Sequence, residues 1–170
     1  VTVVTMGPDR AAETVRKALS MGADAGVHLV DGTFAGSDAL ATSYALAEVL
    51  SARGFDVVMF GSESTDARMS VVPAMVAERL GYAQLTFAQK VEVSGSTVTV
   101  QRVTETGFDT VEAQTPVVVS VVEKINEPRY PSFKGIMAAK KKPVETLTAA
   151  EAGLDASRLG LSAAWSTVVD

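Results

Sequence analysis

The chain has 170 residues, 47% of them hydrophobic and 6% aromatic, with 15 Lys+Arg against 20 Asp+Glu and a formal net charge of −5. That length suits one globular domain, or one domain with an appendage. Lack of cysteine excludes a disulfide framework, thiolate zinc, iron–sulfur ligation and a cysteine nucleophile; His28, the single histidine, leaves no multi-histidine metal site, and the acidic balance argues against generic nucleic-acid binding.

Val1 to Thr5 reads as a strand, and because it opens on Val rather than Met the chain is expected to begin part-way into a longer polypeptide. Gly7-Pro8-Asp9 breaks this strand. From Asp9 to Met21, Ala11, Val15, Ala18 and Leu19 recur at helical spacing, with Arg10, Glu13, Arg16 and Lys17 facing away, and Gly22 stops the helix. Gly26 to Val30 is a second strand, in which His28 reads as a half-buried structural imidazole. Ser37 is placed to cap a helix running to about Arg53.

Asp56 to Phe60 is a third, nearly all-apolar strand, as expected where both faces are covered, and Pro73 to Leu80 is a helix ended by Gly81. This β-α-β-α-β-α series predicts an α/β fold with a doubly wound, mainly parallel sheet. Lys90 to Val93 and Thr97 to Val100 then alternate with period two about Ser94-Gly95-Ser96, which predicts an antiparallel hairpin insertion over 88–114. Pro116 to Val122 is a buried strand returning to the sheet. At seven residues it is the longest nearly apolar stretch, far short of the roughly 18 to 20 needed to span a membrane, so no membrane span is expected. The low-periodicity tail, Leu147 to Asp170, reads as an extension that takes its order from a partner, and Trp165 as a packing or interface residue.

Two stretches carry candidate chemistry. The loop Gly61-Ser62-Glu63-Ser64-Thr65-Asp66 leaves the carboxyl end of a central strand and feeds a helix, the position where open α/β sheets bind ligands. The amides of Ser70, Val71 and Val72 near the helix start suit a phosphate, and the short polar side chains suit ribose hydroxyls. An ordinary strand-to-helix loop with capping serines accounts for the same residues. The pattern is neither a P-loop nor GxGxxG. No acid-base pair, and hence no catalytic or metal-binding residue, is picked out.

The second stretch runs from Glu123 to Lys142. Between Lys124 and Lys142 six basic residues (Lys124, Arg129, Lys134, Lys140, Lys141, Lys142) face one acid (Glu127), a local +5 that leaves −10 on the rest. Lysines at a helix end would offset its macrodipole; a charge-steered partner is the other reading. Pro128 and Pro131 predict a protruding loop, and Tyr130, Phe133, Ile136 and Met137 place apolar groups inside a basic rim, the anatomy of a protein contact.

Glu123-Lys124-Ile125-Asn126-Glu127-Pro128-Arg129-Tyr130 with Ile136-Met137-Ala138-Ala139-Lys140-Lys141-Lys142, Gly61 and Asp66 after the third strand, Pro73-Ala74 to Leu80-Gly81, and Arg16 to Asp24 together resemble the β subunit of electron transfer flavoprotein over almost the whole chain. The resemblance implies a Rossmann-like, adenine-nucleotide-binding fold. It implies an electron-carrier subunit rather than an enzyme, paired with an α subunit that holds most of the redox FAD, while the β subunit binds a structural AMP. The AMP pocket maps to Met6, Gly61, Ser62, Glu63, Ser64, Thr65, Asp66, Ala67, Arg68, Met69, Ser70, Val71 and Val72. At 67–70 the sequence departs from the smaller or amide-bearing residues of many relatives.

Arg129, Tyr130, Pro131, Ser132, Phe133, Lys134, Ile136 and Met137 correspond to the family's recognition loop, which docks acyl-CoA dehydrogenases and related flavoprotein dehydrogenases. Phe133 stands where the best-known members carry a Leu anchor. Electrons would pass on to electron transfer flavoprotein-quinone oxidoreductase and the respiratory chain, in the bacterial cytoplasm or, for a eukaryotic chain, the mitochondrial matrix. The implied organisation is an α/β nucleotide-binding domain over 1–122, a recognition loop and basic helix over 123–142, and a C-terminal extension contacting the partner subunit over 143–170. A bifurcating homologue with a second FAD in the β subunit and a stand-alone nucleotide sensor of the universal-stress type are the alternatives.

Overall fold

The computed structural model describes residues 1–65 and 67–167. In chain order the elements are β1 (Thr2–Met6), α1 (Ala11–Ser20), β2 (Ala25–Leu29), a 3-10 turn (Gly32–Phe34), α2 (Ala39–Ser51), β3 (Val57–Gly61), α3 (Val72–Leu80), β4 (Ala83–Ser94), β5 (Thr97–Thr104), β6 (Gly107–Gln114), β7 (Val117–Val121), α4 (Phe133–Ala139), β8 (Val144–Leu147), a second 3-10 turn (Ala156–Arg158) and α5 (Gly160–Ala163). They fall into two compact units. One comprises Val1–Asp38 with Pro128–Thr167, the other Ala39–Glu127.

The α/β class is as expected, with the strands divided between two hydrogen-bonded sheets, ordered β1-β2-β8 and β3-β7-β4-β5-β6. The division follows from which strands pair. The apolar run of β7 pairs in parallel with both β3 and β4. The free edge of β2 is taken by β8, a four-residue strand too short to announce itself by periodicity.

In the first unit the sheet is wholly parallel. Helix α1 buries Val15 and Leu19, which cluster with Ala23, Ala139, Val3 and Val144. Gly26 permits this packing, because a Cβ there would collide with Val15 Cγ1. His28 lies on the central strand and is buried rather than half-buried, with Nε2 3.1 Å from the carbonyl of Gly7.

Residues 148–167 are tied into this unit by hydrogen bonds. Asp31 accepts the amides of Thr33 (3.0 Å) and Ala149 (3.1 Å), and Asp38 accepts that of Trp165 (2.8 Å). Thr148 and Glu151 form a reciprocal capping box: the Thr148 amide donates to Glu151 Oε2 (2.8 Å) and the Glu151 amide to Thr148 Oγ1 (3.2 Å). Ser37 does not cap α2, which starts two residues later. Its hydroxyl instead accepts the Gly160 amide at 2.8 Å.

In the second unit β7 is the buried spine, with Val117, Val118, Val119 and Ser120 all inside. Val117 and Val119 pack with Leu85, Ala88, Val98 and Val100. The hairpin strand reaches further back than its alternation suggests: β4 begins at Ala83, runs parallel to β7, and only beyond a register shift between Leu85 and Ala88 turns antiparallel to β5. Phe87 sits in that irregularity with φ 55°. Gly95, with φ 59°, opens the two-residue turn into β5, the position a type II′ turn reserves for glycine. Arg79 on α3 reaches α2, donating to Ser43 Oγ (3.0 Å) and the Leu40 carbonyl (3.1 Å) with its guanidinium 6.0 Å from the Tyr44 ring centroid. Among the described residues no helix is long and apolar enough to cross a membrane.

Candidate functional site

The strand-end loop lies in the second unit, between β3 and α3. Glu63, Ser64, Thr65, Ala67, Arg68 and Met69 are exposed, Ser62, Ser70, Val71 and Val72 are half-buried, and Gly61 closes β3; Asp66 lies outside the described residues. Arg68 (φ 48°) and Ser70 (φ 56°) both occupy the left-handed region, which costs a residue with a Cβ roughly 1–2 kcal/mol. Ser70 Oγ donates to Glu63 Oε2 across 3.4 Å, folding the loop's two ends toward each other. Val71 holds the N-cap position of α3 and supplies no side-chain cap. The first amides of α3 therefore have no carbonyl partner within the helix, and Pro73 removes one of them. Met6 ends β1 in the first unit.

The candidate docking segment lies in the first unit. Ser132 caps α4, its Oγ accepting the Gly135 amide at 3.1 Å. Tyr130 is 97% and Phe133 80% exposed, with Ile136 and Met137 also exposed. Arg129 and Lys134 are exposed beside them and Pro131 is half-buried. An aromatic side chain held out in water at the start of a capped helix gains nothing from burial within its own chain.

Helix α4 is fixed to α1 by backbone chemistry rather than by apolar contact alone. A Cβ on Gly135 would stand 2.5 Å from the carbonyl oxygen of Ser20, so glycine there sets how closely the helices approach. Arg16 Nη1 donates to the carbonyls of Ala139 and Lys142, each at 2.9 Å. Lys142 Nζ donates to those of Leu19 (3.0 Å) and Ala23 (2.5 Å). Each cation thus satisfies the orphan carbonyls at the end of the other's helix. The basic island accordingly divides: Lys142 is a structural cap, whereas Lys140 and Lys141 face solvent.

Sequence reasoning left this pair unremarked, because both cations bond to backbone carbonyls, which no residue pattern marks. It also missed the capping box, whose Thr148-Ala149-Ala150-Glu151 pattern was readable. Amides of Thr33 and then Ala149 hold Asp31 below the usual aspartate range, and the amide and hydroxyl of Thr148 do the same for Glu151. Among the described residues no group of three or more His, Cys, Asp or Glu side chains converges to hold a metal ion.

By architecture this is an α/β protein with a polar, strained loop at a strand end and an exposed aromatic helix pinned to its body. Residues 1–152 match the model of the electron transfer flavoprotein domain, and the chain belongs to that family. It is similar to electron transfer flavoprotein subunit beta of Mycobacterium tuberculosis (strain ATCC 25618 / H37Rv), 54% identical over 99% of this chain and 64% of the relative. The protein of the same description from Thermoanaerobacterium thermosaccharolyticum is 40% identical over 99% of this chain and 65% of its own length. That from Megasphaera elsdenii is 38% identical over 95% and 63%. The chain therefore spans a little under two thirds of the length of these relatives.

Proposed function

We propose that the chain is the nucleotide-holding and docking part of an electron transfer flavoprotein β subunit. In this reading it pairs with an α subunit that carries most of the FAD, binds AMP itself, and presents a platform on which acyl-CoA dehydrogenases or related flavoprotein dehydrogenases deliver electrons. Those electrons continue to electron transfer flavoprotein-quinone oxidoreductase. The observation that carries the reading is the exposed Tyr130–Met137 segment, held in place by reciprocal caps, in a chain 54% identical to a β subunit.

The loop chemistry fits an adenine mononucleotide. The uncapped start of α3 suits the phosphate, and Ser62, Ser64 and Thr65 offer hydroxyls to the ribose. The left-handed turns at Arg68 and Ser70 aim the backbone in a way an ordinary connecting loop has no need to adopt. AMP supplies binding energy and no chemistry. FAD in the α subunit supplies the redox step, and this chain's part is to bring a dehydrogenase within reach of it.

The test is co-expression with the α subunit, purification, and mass-spectrometric identification of the nucleotides released. One FAD and one AMP per heterodimer is the expected result. Two FAD would favour a bifurcating homologue, and a monomer that ignores the α subunit would favour a stand-alone nucleotide sensor.

A further inference from the structure

Along the docking helix, where Phe133, Ile136 and Lys140 follow one another at i, i+3 and i+7, α1 and α4 enclose a groove of about 490 Å³ lined by Arg16, Lys17, Ser20, Ile136, Ala139 and Lys140. Three of the six are cations and none is an acid. Glu13, the one acid of α1, precedes Lys17 by a full turn and does not line the groove. Arg16 is held by the carbonyls of Ala139 and Lys142, so its charge is fixed in the groove wall rather than free to swing away. Ile136 and Ala139 contribute apolar lining, while the Ser20 hydroxyl is occupied by its bond to the Lys17 carbonyl at 2.6 Å. Such a groove repels cations, offers an acidic chain both charge and aliphatic contact, and sits on a body that is otherwise acidic.

We infer that this groove is the electrostatic half of the docking surface: it receives an acidic surface segment of the dehydrogenase, with Lys17 and Lys140 selecting partners that carry carboxylates next to the pocket for Phe133. The inference rests on the docking reading above and extends it from the α4 loop onto α1, a helix outside the recognition segment. Phe133 supplies apolar anchoring that is insensitive to salt. Lys17 and Lys140 supply steering and selectivity that salt removes, since exposed charges beyond about 8–10 Å are screened at physiological ionic strength.

The test uses the α/β heterodimer and a purified acyl-CoA dehydrogenase, reading KM for the flavoprotein against ionic strength. The Lys17→Glu, Lys140→Glu double variant is expected to raise KM about 5- to 10-fold at low salt and less than about 2-fold in molar salt. Phe133→Ala is expected to raise it at both. Arg10→Glu makes the same kind of charge change at the far end of α1 and is expected to leave KM unaltered. An unchanged KM in the lysine variant, with Phe133→Ala still impaired, overturns the groove and leaves the docking reading standing. If Arg10→Glu matches the lysine variant, net charge rather than the groove is responsible and the inference falls. If Phe133→Ala is also without effect, the docking reading itself is lost.

Discussion

Arg16 Nη1 donates to the carbonyl of Lys142 at 2.9 Å, while the ammonium of Lys142 reaches back to the carbonyls of Leu19, on the helix that carries Arg16, and of Ala23, just past its end. The two residues are 126 positions apart, and between them they close the ends of two helices. Helix α4 has only seven residues, too few to be stable by propensity, so these bonds and the Ser132 cap are what hold it against α1.

Lys142→Met keeps the aliphatic stem and removes the donor. It leaves two carbonyls without their charged partner, and a loss of about 1–3 kcal/mol in unfolding free energy is expected. Lys140→Met and Lys141→Met, at exposed positions, are expected to change stability by less than about 0.5 kcal/mol. Urea denaturation of the three variants measures the difference. Equal midpoints would show that Lys142 is as solvated as its neighbours.

Ser120 offers a second test, in the other unit. Its buried hydroxyl accepts the amide of Phe87 at 2.9 Å, at the point where β4 leaves β7 to pair with β5. The irregularity takes that amide out of the strand ladder, and the serine replaces the missing carbonyl. Ser120→Ala is expected to cost about 1–3 kcal/mol, the penalty of a buried donor left unmet. Faster hydrogen exchange at Phe87, with the amides of β5 and β6 unaffected, would locate the defect; uniform acceleration would argue against it.

These two examples also show what the sequence carried. The strands β1 to β3, the helices between them and the β4–β5 alternation were legible because each is a local pattern of period 3.6 or 2. The stop of α3 at Gly81 (φ 66°) was legible for the same reason. The split into two sheets was not, since it depends on β8, a strand of four residues, and on β7 choosing two parallel neighbours. The exposed aromatic segment could be read from Pro128, Pro131 and the residues around them, but Lys142's departure from the solvated island could not. A lysine's partners are carbonyls, and carbonyls leave no mark in a sequence. The left-handed turns at Arg68 and Ser70 were equally invisible, for neither residue is one that advertises positive φ.

Asp31 gives the tail a pH dependence of definite sign. Its carboxylate accepts the amides of Thr33 and Ala149, which depress its folded pKa below the ordinary value of 3.8. The stabilisation is therefore present above 3.8 and is lost as pH falls through the lower, folded value, because in that window the unfolded chain binds the extra proton. Asp31→Asn keeps one acceptor and removes the charge. The wild type is expected to lose more stability than the variant between about pH 6 and pH 2, read as urea midpoints. Parallel losses would mean that Asp31 contributes nothing to acid sensitivity.

Phe133 separates function from stability most cleanly, because at 80% exposure its ring contributes little to folding. Phe133→Ala is expected to move the urea midpoint by less than about 0.5 kcal/mol equivalent, as surface substitutions away from caps do. It should leave the flavin spectrum of the heterodimer unaltered. On the docking reading proposed above, truncating such an anchor costs about 2 kcal/mol or more of binding, so the KM for a dehydrogenase should rise roughly 30-fold. Phe133→Leu keeps an apolar side chain of smaller reach and is expected to recover most of the loss with one dehydrogenase and less with another. That partial, partner-dependent recovery distinguishes an anchor filling a pocket from a ring that merely shields the helix start: a shield would be restored by leucine to the same degree whatever partner is supplied.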